Sequence, residues 1–381
     1  MKNTMRITVL AYNLIGSGGL SVGRNVTALL PKIGSQHQYL ILVPENLDYD
    51  EHIGLDNVVV KKIKRMGFLE RIKFDSITLP KIVKEFNSDI VLALGNLGLS
   101  NCPCKQAVLI HQPQIMYSSK HFGNMSLKDS LRIWAVKQRV NKCLKTTNLV
   151  FCQTPVTQNR FAKVFNYPIE KIKIMPNAVS QFAKDITENP KANDIFNDKS
   201  KFSLFFLTRY MPHKNLEILI ELFRKYRDEL KDVRCIITIS PEHHKNAKQL
   251  LNNIIKYNLQ EHIINAGSLK QEELGYYFKN CDAFLFPTLL ESFSGTYLEA
   301  MHFGLPILTS DLDFAKYVCD DAALYFNPWD CKDILEKILY LKNNPDIGKK
   351  LTYKGSERIS FFFKDWEDIV ADMLNEIEAL V

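Results

Sequence analysis

Short apolar runs alternate along the whole chain with stretches whose apolar positions recur at helical spacing, the pattern of parallel strands covered by helices. In the first half, Met5–Tyr12, Gln38–Val43, Val58–Lys62, Asp89–Ala93, Gln106–His111, Leu149–Gln153 and Lys171–Met175 read as strands. Leu20–Leu30, Ile77–Phe86 and Leu127–Cys143 read as helices between them. Residues 183–201 are polar, contain Pro190 and read as a linker. A second alternating set follows, with strands Phe202–Leu207, Cys235–Ile239, His262–Ala266, Ala283–Pro287 and Pro306–Thr309 and helices Leu216–Tyr226 and Glu272–Lys279. Near the C-terminus, Trp366–Leu380 places Ile369, Val370, Met373, Leu374 and Ile377 on one helical face. The pattern predicts two doubly wound α/β domains facing each other, the first over 1–182 joined by a helix at about 360–381, the second over 183–359.

Length agrees, since 381 residues exceed one ordinary core. With 46% hydrophobic and 24% charged residues, the composition excludes disorder, collagen and coiled coil. No apolar run reaches the ~20 residues of a membrane span. The apolar stretch Ile7–Ile15 after Met1-Lys2 is broken by Asn13, Gly16, Gly18 and Gly19 and lacks a cleavage site, so it reads as a strand entering a glycine turn. Eight cysteines are too few for a disulfide scaffold, and the Cys102-x-Cys104 pair has no partners at zinc spacing. A reduced, cytoplasmic protein without a metal is expected.

Net charge refines the picture. Residues 1–180 hold 24 Lys+Arg against 11 Asp+Glu, whereas 181–381 hold 25 against 31, so the two halves face different partners. The basic excess is densest in residues 61–74, KKIKRMGFLERIKF, with a second cluster in 120–145 that includes Trp134. Read as a helix, 61–74 is a basic amphipathic surface suited to anionic lipid headgroups; the alternative is apolar residues facing the core beneath solvated lysines. Nucleic acid is not expected, because no recognition motif accompanies the charge.

Two regions carry candidate chemistry. The loop Gly16-Ser17-Gly18-Gly19 lies between a strand and a helix, where backbone amides can approach an anion. A dinucleotide fingerprint would need a third glycine at position 21, which is Ser21; with Glu45 as a ribose-binding acid, an NAD-dependent dehydrogenase stays open as an alternative. The second region places Glu291 in a loop after the strand Ala283–Pro287 and Glu299 in the following helix, which starts near Ser294–Thr296 and stops at Gly304. Carboxylates there suit vicinal sugar hydroxyls; Glu299 complementing the helix dipole and a solvated Glu291 is the plainer alternative.

The stretch LFPTLLESFSGTYLEAMHFGLPILTS, with its E-x7-E spacing, resembles the donor site of retaining glycosyltransferases of the GT-B fold, family 4. DAALYFNPWD at 321–330, Leu207-Thr208-Arg209-Tyr210-Met211-Pro212-His213-Lys214-Asn215 and Ile174-Met175-Pro176-Asn177-Ala178-Val179 are similar to further segments of that family. The resemblance is strong over about 171–330 and lies in pattern alone before that. It implies a sugar moved from a UDP- or GDP-sugar to a glycan or lipid-linked acceptor in surface-polysaccharide assembly. Arg209 and Lys214 would stabilise the leaving diphosphate in place of a metal, with no cofactor. Glu291 would contact the donor sugar and Glu299 the ribose. Ser292, Phe293, Ser294, Gly295 and Thr296 would hold the diphosphate, Gly267 and Leu269 would lie near the base, and Asn177 belongs to the donor side. His111 would reach the sugar or phosphate, while Gly18 and Gly19 close from the other side. Front-face transfer is implied too, and no Asp or Glu of the N-terminal half reads as a nucleophile. Ser292, Ser294, Thr208 and Ala178 stand where the family commonly has glycine, which leaves donor identity open. A catalytically silent glycan-binding subunit is the remaining alternative; a place at the inner face of the membrane would suit the basic half.

Overall fold

The computed structural model describes residues 4–15, 17–47, 49, 55–123, 125–178, 194–242, 244–362 and 364–381, without the side chains of Ser17, Phe68 and Gln271. Gly16 of the glycine turn, Val179 and residues 183–193 of the expected linker lie outside that description. The chain forms two compact units. Unit 1 is Met1–Tyr117, Leu127–Ala178 and Lys364–Val381; unit 2 is Ser118–Ser126 and Val179–Phe363. The short segment Ser118–Ser126 therefore leaves the N-terminal half to pack in unit 2.

Unit 1 is built on seven parallel strands: β1 Arg6–Leu10, β2 Gln38–Pro44, β3 Val58–Ile63, β4 Ile90–Ala93, β5 Lys105–Ile110, β6 Leu149–Cys152 and β7 Ile172–Ile174, in the order β3-β2-β1-β4-β5-β6-β7. Ile7 aligns with Tyr39 on one side and with Ile90 on the other. Strands covered on both faces need apolar residues at every position, and β4 and β6 are fully buried. Helix Ser17–Ile33 and the C-terminal helix Trp366–Glu378 share one core, which joins Val22, Val26 and Leu30 to Ile369, Met373 and Ile377. Asp365 caps the second helix by accepting from the Asp368 amide at 2.9 Å. Its far end is pinned where buried His37 meets Glu378 at 2.9 Å.

The region read as one basic helix is two elements. Lys61 and Lys62 belong to β3, an edge strand, and the helix begins only at Phe68, because Gly67 and the extended chain before it break the period. Helix Phe68–Lys73 continues through a π-helical turn, Phe74–Thr78, into helix Leu79–Glu85, so the helical stretch starts well before the expected Ile77. Buried Asp75 anchors that turn, accepting from the Tyr12 hydroxyl at 2.6 Å, Arg71 at 2.8 Å and Arg139 at 2.5 Å. The surface around it is apolar as well as basic. Leu69, Ile72 and Ile77 are exposed along it, Leu127, Leu131 and Trp134 are exposed on helix Leu127–Leu144, and Lys61, Lys62, Lys64 and Arg65 are exposed as well.

Unit 2 holds six parallel strands: β8 Phe202–Phe206, β9 Val233–Ile237, β10 Ile263–Asn265, β11 Ala283–Phe286, β12 Ile307–Ser310 and β13 Ala323–Phe326, in the order β10-β9-β8-β11-β12-β13. Its core is aromatic: Phe205, Phe206, Phe284, Phe286 and Tyr297 are all buried, and the Phe206 and Phe286 rings meet edge to face at 5.8 Å. In both sheets the order reverses beside the first strand, between β1 and β4 and between β8 and β11. Ligands of open α/β sheets bind outside the carboxyl ends of the strands at such a point.

Candidate active site

In unit 2 the switch point is built by the loops that leave β8 and β11, which are tied to each other by hydrogen bonds and an ion pair. The Leu289 amide donates to the His213 carbonyl at 2.8 Å. Asn215, held in the left-handed region at φ 59°, donates to the carbonyls of Pro287 at 3.2 Å and Pro328 at 2.8 Å. Lys214 Nζ meets Glu291 Oε1 at 2.5 Å. Thr288 donates to the same oxygen at 2.9 Å, and its own carbonyl accepts from Ser310 Oγ at 2.7 Å. The Lys214 ammonium also stands 4.8 Å from the centre of the Phe286 ring, where the π face favours a cation. Both partners of the pair are largely buried, with side chains 17% and 12% exposed, so their attraction is little screened. Burial and the neighbouring Lys214 hold the His213 imidazole down at about 3.

Arg209, three residues past the end of β8, is exposed; its carbonyl accepts from Thr208 Oγ1 at 3.0 Å, and its guanidinium makes no hydrogen bond or ion pair among the described residues. Glu299 sits in helix Gly295–His302. Its carboxyl also lacks a partner among the described residues, and burial raises its pKa to about 7. Ser294 is the N-cap of that helix but does not cap it, because its hydroxyl binds Thr296 Oγ1 at 2.8 Å. A Cβ at Gly295 would meet nothing within 4 Å, so the helix start is open to an approaching group. Ser292 and Phe293 are buried, and Phe293 packs edge-on against Phe362 at 6.0 Å. Gly267 and Leu269 follow β10 at the same end of the sheet. Gly267 has φ +77°, open space where a side chain would be, and an amide donating to Asn265 at 3.2 Å.

The remaining expected residues lie in unit 1. His111 directly follows β5. Its amide and that of Gln112 both donate to Asn96 Oδ1, at 2.7 and 2.8 Å, and Asn96 adopts φ 67°. Loss of hydration holds the His111 imidazole down at about 4, so it is neutral at physiological pH. Gly19, in the first turn of helix Ser17–Ile33, lies against that ring; a Cβ there would stand 3.6 Å from His111 Cε1. Gly18 faces open space. Asn177, in unit 1, uses its side-chain oxygen to accept from Gln153 at 2.8 Å and so fastens the end of β6.

Sequence reasoning assigned no role to Thr288, Asn215 or Asn96, each of which fixes a loop bearing a candidate residue. The available signal is an asparagine three residues past β4 for Asn96 and one closing the turn Pro212–Lys214 for Asn215, the residue type besides glycine that tolerates positive φ. Segment Ser118–Ser126 was not foreseen either. Gly123, at φ 63°, runs so close to Pro212 that a Cβ would overlap its carbonyl oxygen, and His121 packs edge-on against Trp329 at 6.0 Å. An Asp-x-Asp triplet, Asp311-Leu312-Asp313, follows β12, but Asp311 pairs with Lys316 at 2.5 Å and Asp313 begins a helix. No group of three metal-ligating side chains occurs among the described residues.

Two doubly wound units, with paired carboxylate and cation at a switch point, define the GT-B architecture. Residues 185–358 match the family model described as glycosyl transferases group 1. The chain is 22% identical over 212 residues to the O-antigen chain mannosyltransferase RfbU of Salmonella typhimurium, covering 55% of this chain and 54% of that protein. It is 24% identical over 187 residues to trehalose synthase of Pyrococcus horikoshii, covering 47% and 45%. The chain thus spans about half the length of these curated relatives. Among solved structures, Anabaena HepE in complex with UDP and glucose superposes with a TM-score of 0.74 at 16% identity, covering 98% of this chain and all of that one. The family match does not favour a dehydrogenase. Ser21 in place of the third fingerprint glycine agrees with that, and Glu45 is exposed.

Proposed function

We propose that this protein is a retaining, metal-independent glycosyltransferase that moves a sugar from a UDP- or GDP-sugar to a glycan or lipid-linked acceptor in surface-polysaccharide assembly. The observation that carries the reading is the Lys214–Glu291 pair at the switch point of unit 2. RfbU, named as an O-antigen chain mannosyltransferase, and HepE, solved with UDP and glucose, support the substrate classes. Negative charge grows on the diphosphate as the glycosidic bond breaks. Arg209 and Lys214 act on that charge, and cations held in place stabilise it more in the transition state than before it. The open amides at Gly295 and Thr296 take the phosphates, Glu299 the ribose, and Glu291 the sugar hydroxyls. With no carboxylate serving as nucleophile, the leaving phosphate takes the proton of the acceptor hydroxyl on the face from which it departs, which retains the anomeric configuration. His111, neutral beside Gly19, donates a hydrogen bond rather than a charge.

On this reading the acceptor approaches unit 1, whose basic and apolar face meets an anionic membrane at the cytoplasmic side. Transfer is assayed with UDP- and GDP-sugars in the presence of EDTA, and product configuration is read by NMR. Retention with undiminished rate in EDTA supports the proposal. An inverted product, dependence on divalent metal, or full activity of both Arg209→Ala and Glu291→Ala overturns it.

A further inference from the structure

At the switch point of unit 1, two residues past the end of β1, Tyr12 donates its hydroxyl to Asp75 Oδ1 at 2.6 Å. Asp75 stands in the π-helical turn Phe74–Thr78, a rare geometry that recurs at functional sites. Two guanidiniums converge on its carboxylate. Arg71 approaches both oxygens through Nε alone, at 2.8 and 2.9 Å, and Arg139 meets Oδ2 through Nη2 at 2.5 Å. The carboxylate is therefore saturated, whereas the cations are not. Both Nη groups of Arg71 stay off the carboxylate, its guanidinium lying over the Tyr12 ring at 4.3 Å, and Nε and Nη1 of Arg139 make no hydrogen bond among the described residues. The arginine side chains are 20% and 26% exposed, enough to be reached from solvent, while that of Asp75 is 11% exposed. Fastening this turn to helix Leu127–Leu144 needs only the Asp75–Arg139 pair. Arg71 adds a second, partly dehydrated positive charge beside the first, a repulsion that an incoming anion offsets.

We propose that Arg71 and Arg139 form a binding site for the phosphate group of a phosphorylated acceptor. Assigning that phosphate to the acceptor rests on the reading of unit 1 as the acceptor side; the binding itself does not. Guanidinium forks match phosphate oxygens in pairs. A terminal phosphate offers three oxygens and up to two charges, so it uses donors of both arginines, where a carboxylate offers two oxygens and one charge. Asp75 sets the spacing of the two forks. Burial raises the pKa of the Tyr12 hydroxyl, which therefore stays protonated and keeps donating to Asp75. A soluble sugar phosphate and a lipid phosphate present the same group to this site.

Pyrophosphate and geranyl diphosphate are titrated by calorimetry into the full chain carrying Arg209→Ala, which weakens phosphate binding in unit 2. Saturable binding of both is expected, weakened about 10-fold or more when Arg71→Lys and Arg139→Lys are added. Lysine keeps the charge beside Asp75, so the unfolding midpoint in urea should change little. Should the double replacement fail to fold, Arg139→Lys alone carries the comparison. Asp75→Asn, which removes the competing charge, should bind pyrophosphate more tightly. Equal affinity for the two probes assigns the site to a soluble ester, and tighter binding of the geranyl ester assigns it to a lipid-linked one; either supports the site. Unchanged affinity in the lysine variants overturns the proposal, and so does displacement of pyrophosphate by an equal concentration of acetate. Phosphate binding without sugar transfer by the wild type would remove the proposed function and keep the site, whereas transfer without binding would do the reverse.

Discussion

Lys214 binds Glu291 through a single carboxylate oxygen, Oε1, at 2.5 Å, and Thr288 donates to that same oxygen at 2.9 Å. Oε2 makes no hydrogen bond among the described residues. The pair is thus half-satisfied: one oxygen locks the loop after β11 to the loop after β8, and the other is left for a ligand. Glu291→Gln removes the countercharge of a largely buried ammonium. A cost of roughly 1–3 kcal/mol is expected in urea unfolding, together with a fall in transfer rate of about 100-fold or more. Equal loss of stability with full activity would mean that the pair is structural alone.

Glu299 gives a pH signature of its own. Its folded pKa of about 7 lies above the ordinary 4.5, so the native protein binds the extra proton between those values and stability falls as pH rises through that window. Glu299→Gln does not titrate. It should match the wild type near pH 4.5, gain on the order of 2 kcal/mol by pH 8, and lose nucleoside-diphosphate affinity. Unfolding curves at the two pH values check the first statement and calorimetry the second.

His111 and His213 work in the opposite sense. Their folded values of about 4 and about 3 lie below the ordinary 6.5, so the stability each contributes is complete above pH 6.5 and is lost as pH falls through the folded values. Histidine ring resonances at both positions should stay at their neutral shifts from pH 8 down to pH 5. Titration of His111 near 6.5 would remove its role as a neutral hydrogen-bond donor.

The basic face makes a separable prediction. Replacing exposed Leu69 and Trp134 by Ala, or Lys61, Lys62, Lys64 and Arg65 by Gln, should weaken flotation with phosphatidylglycerol vesicles several-fold and leave nucleotide affinity in unit 2 unchanged. Unchanged flotation of both variants would return Lys61 and Lys62 to the ordinary task of protecting an edge strand.

How much of this the residues disclose in advance depends on range. The strands were legible to within about two residues, because buried parallel strands are continuous apolar runs; β9 was placed late since Val233–Ile239 is apolar along nearly its whole length. Helix Pro155–Phe165 went unread although its signals are local: Thr154 and Thr157 form a reciprocal cap, and Pro155 stands at the first position. Strand β13 was noticed only as part of a motif. Glu291, Lys214 and Arg209 were singled out through the resemblance of their segments to family 4, but the Lys214–Glu291 pairing was not, since 77 residues separate its members. Placement of 118–126 in unit 2 has no local signature at all.

That placement bears on how chains of this fold are recombined. A fragment beginning at residue 183, the boundary the composition suggests, leaves Ser118–Ser126 behind and opens the Pro212 carbonyl and the Trp329 ring to water. Domain shuffling at the linker would likewise separate the segment from its seat. A working chimera must inherit 118–126 from the parent that supplies Pro212 and Trp329, so the exchangeable unit is discontinuous in the gene although it is compact in space.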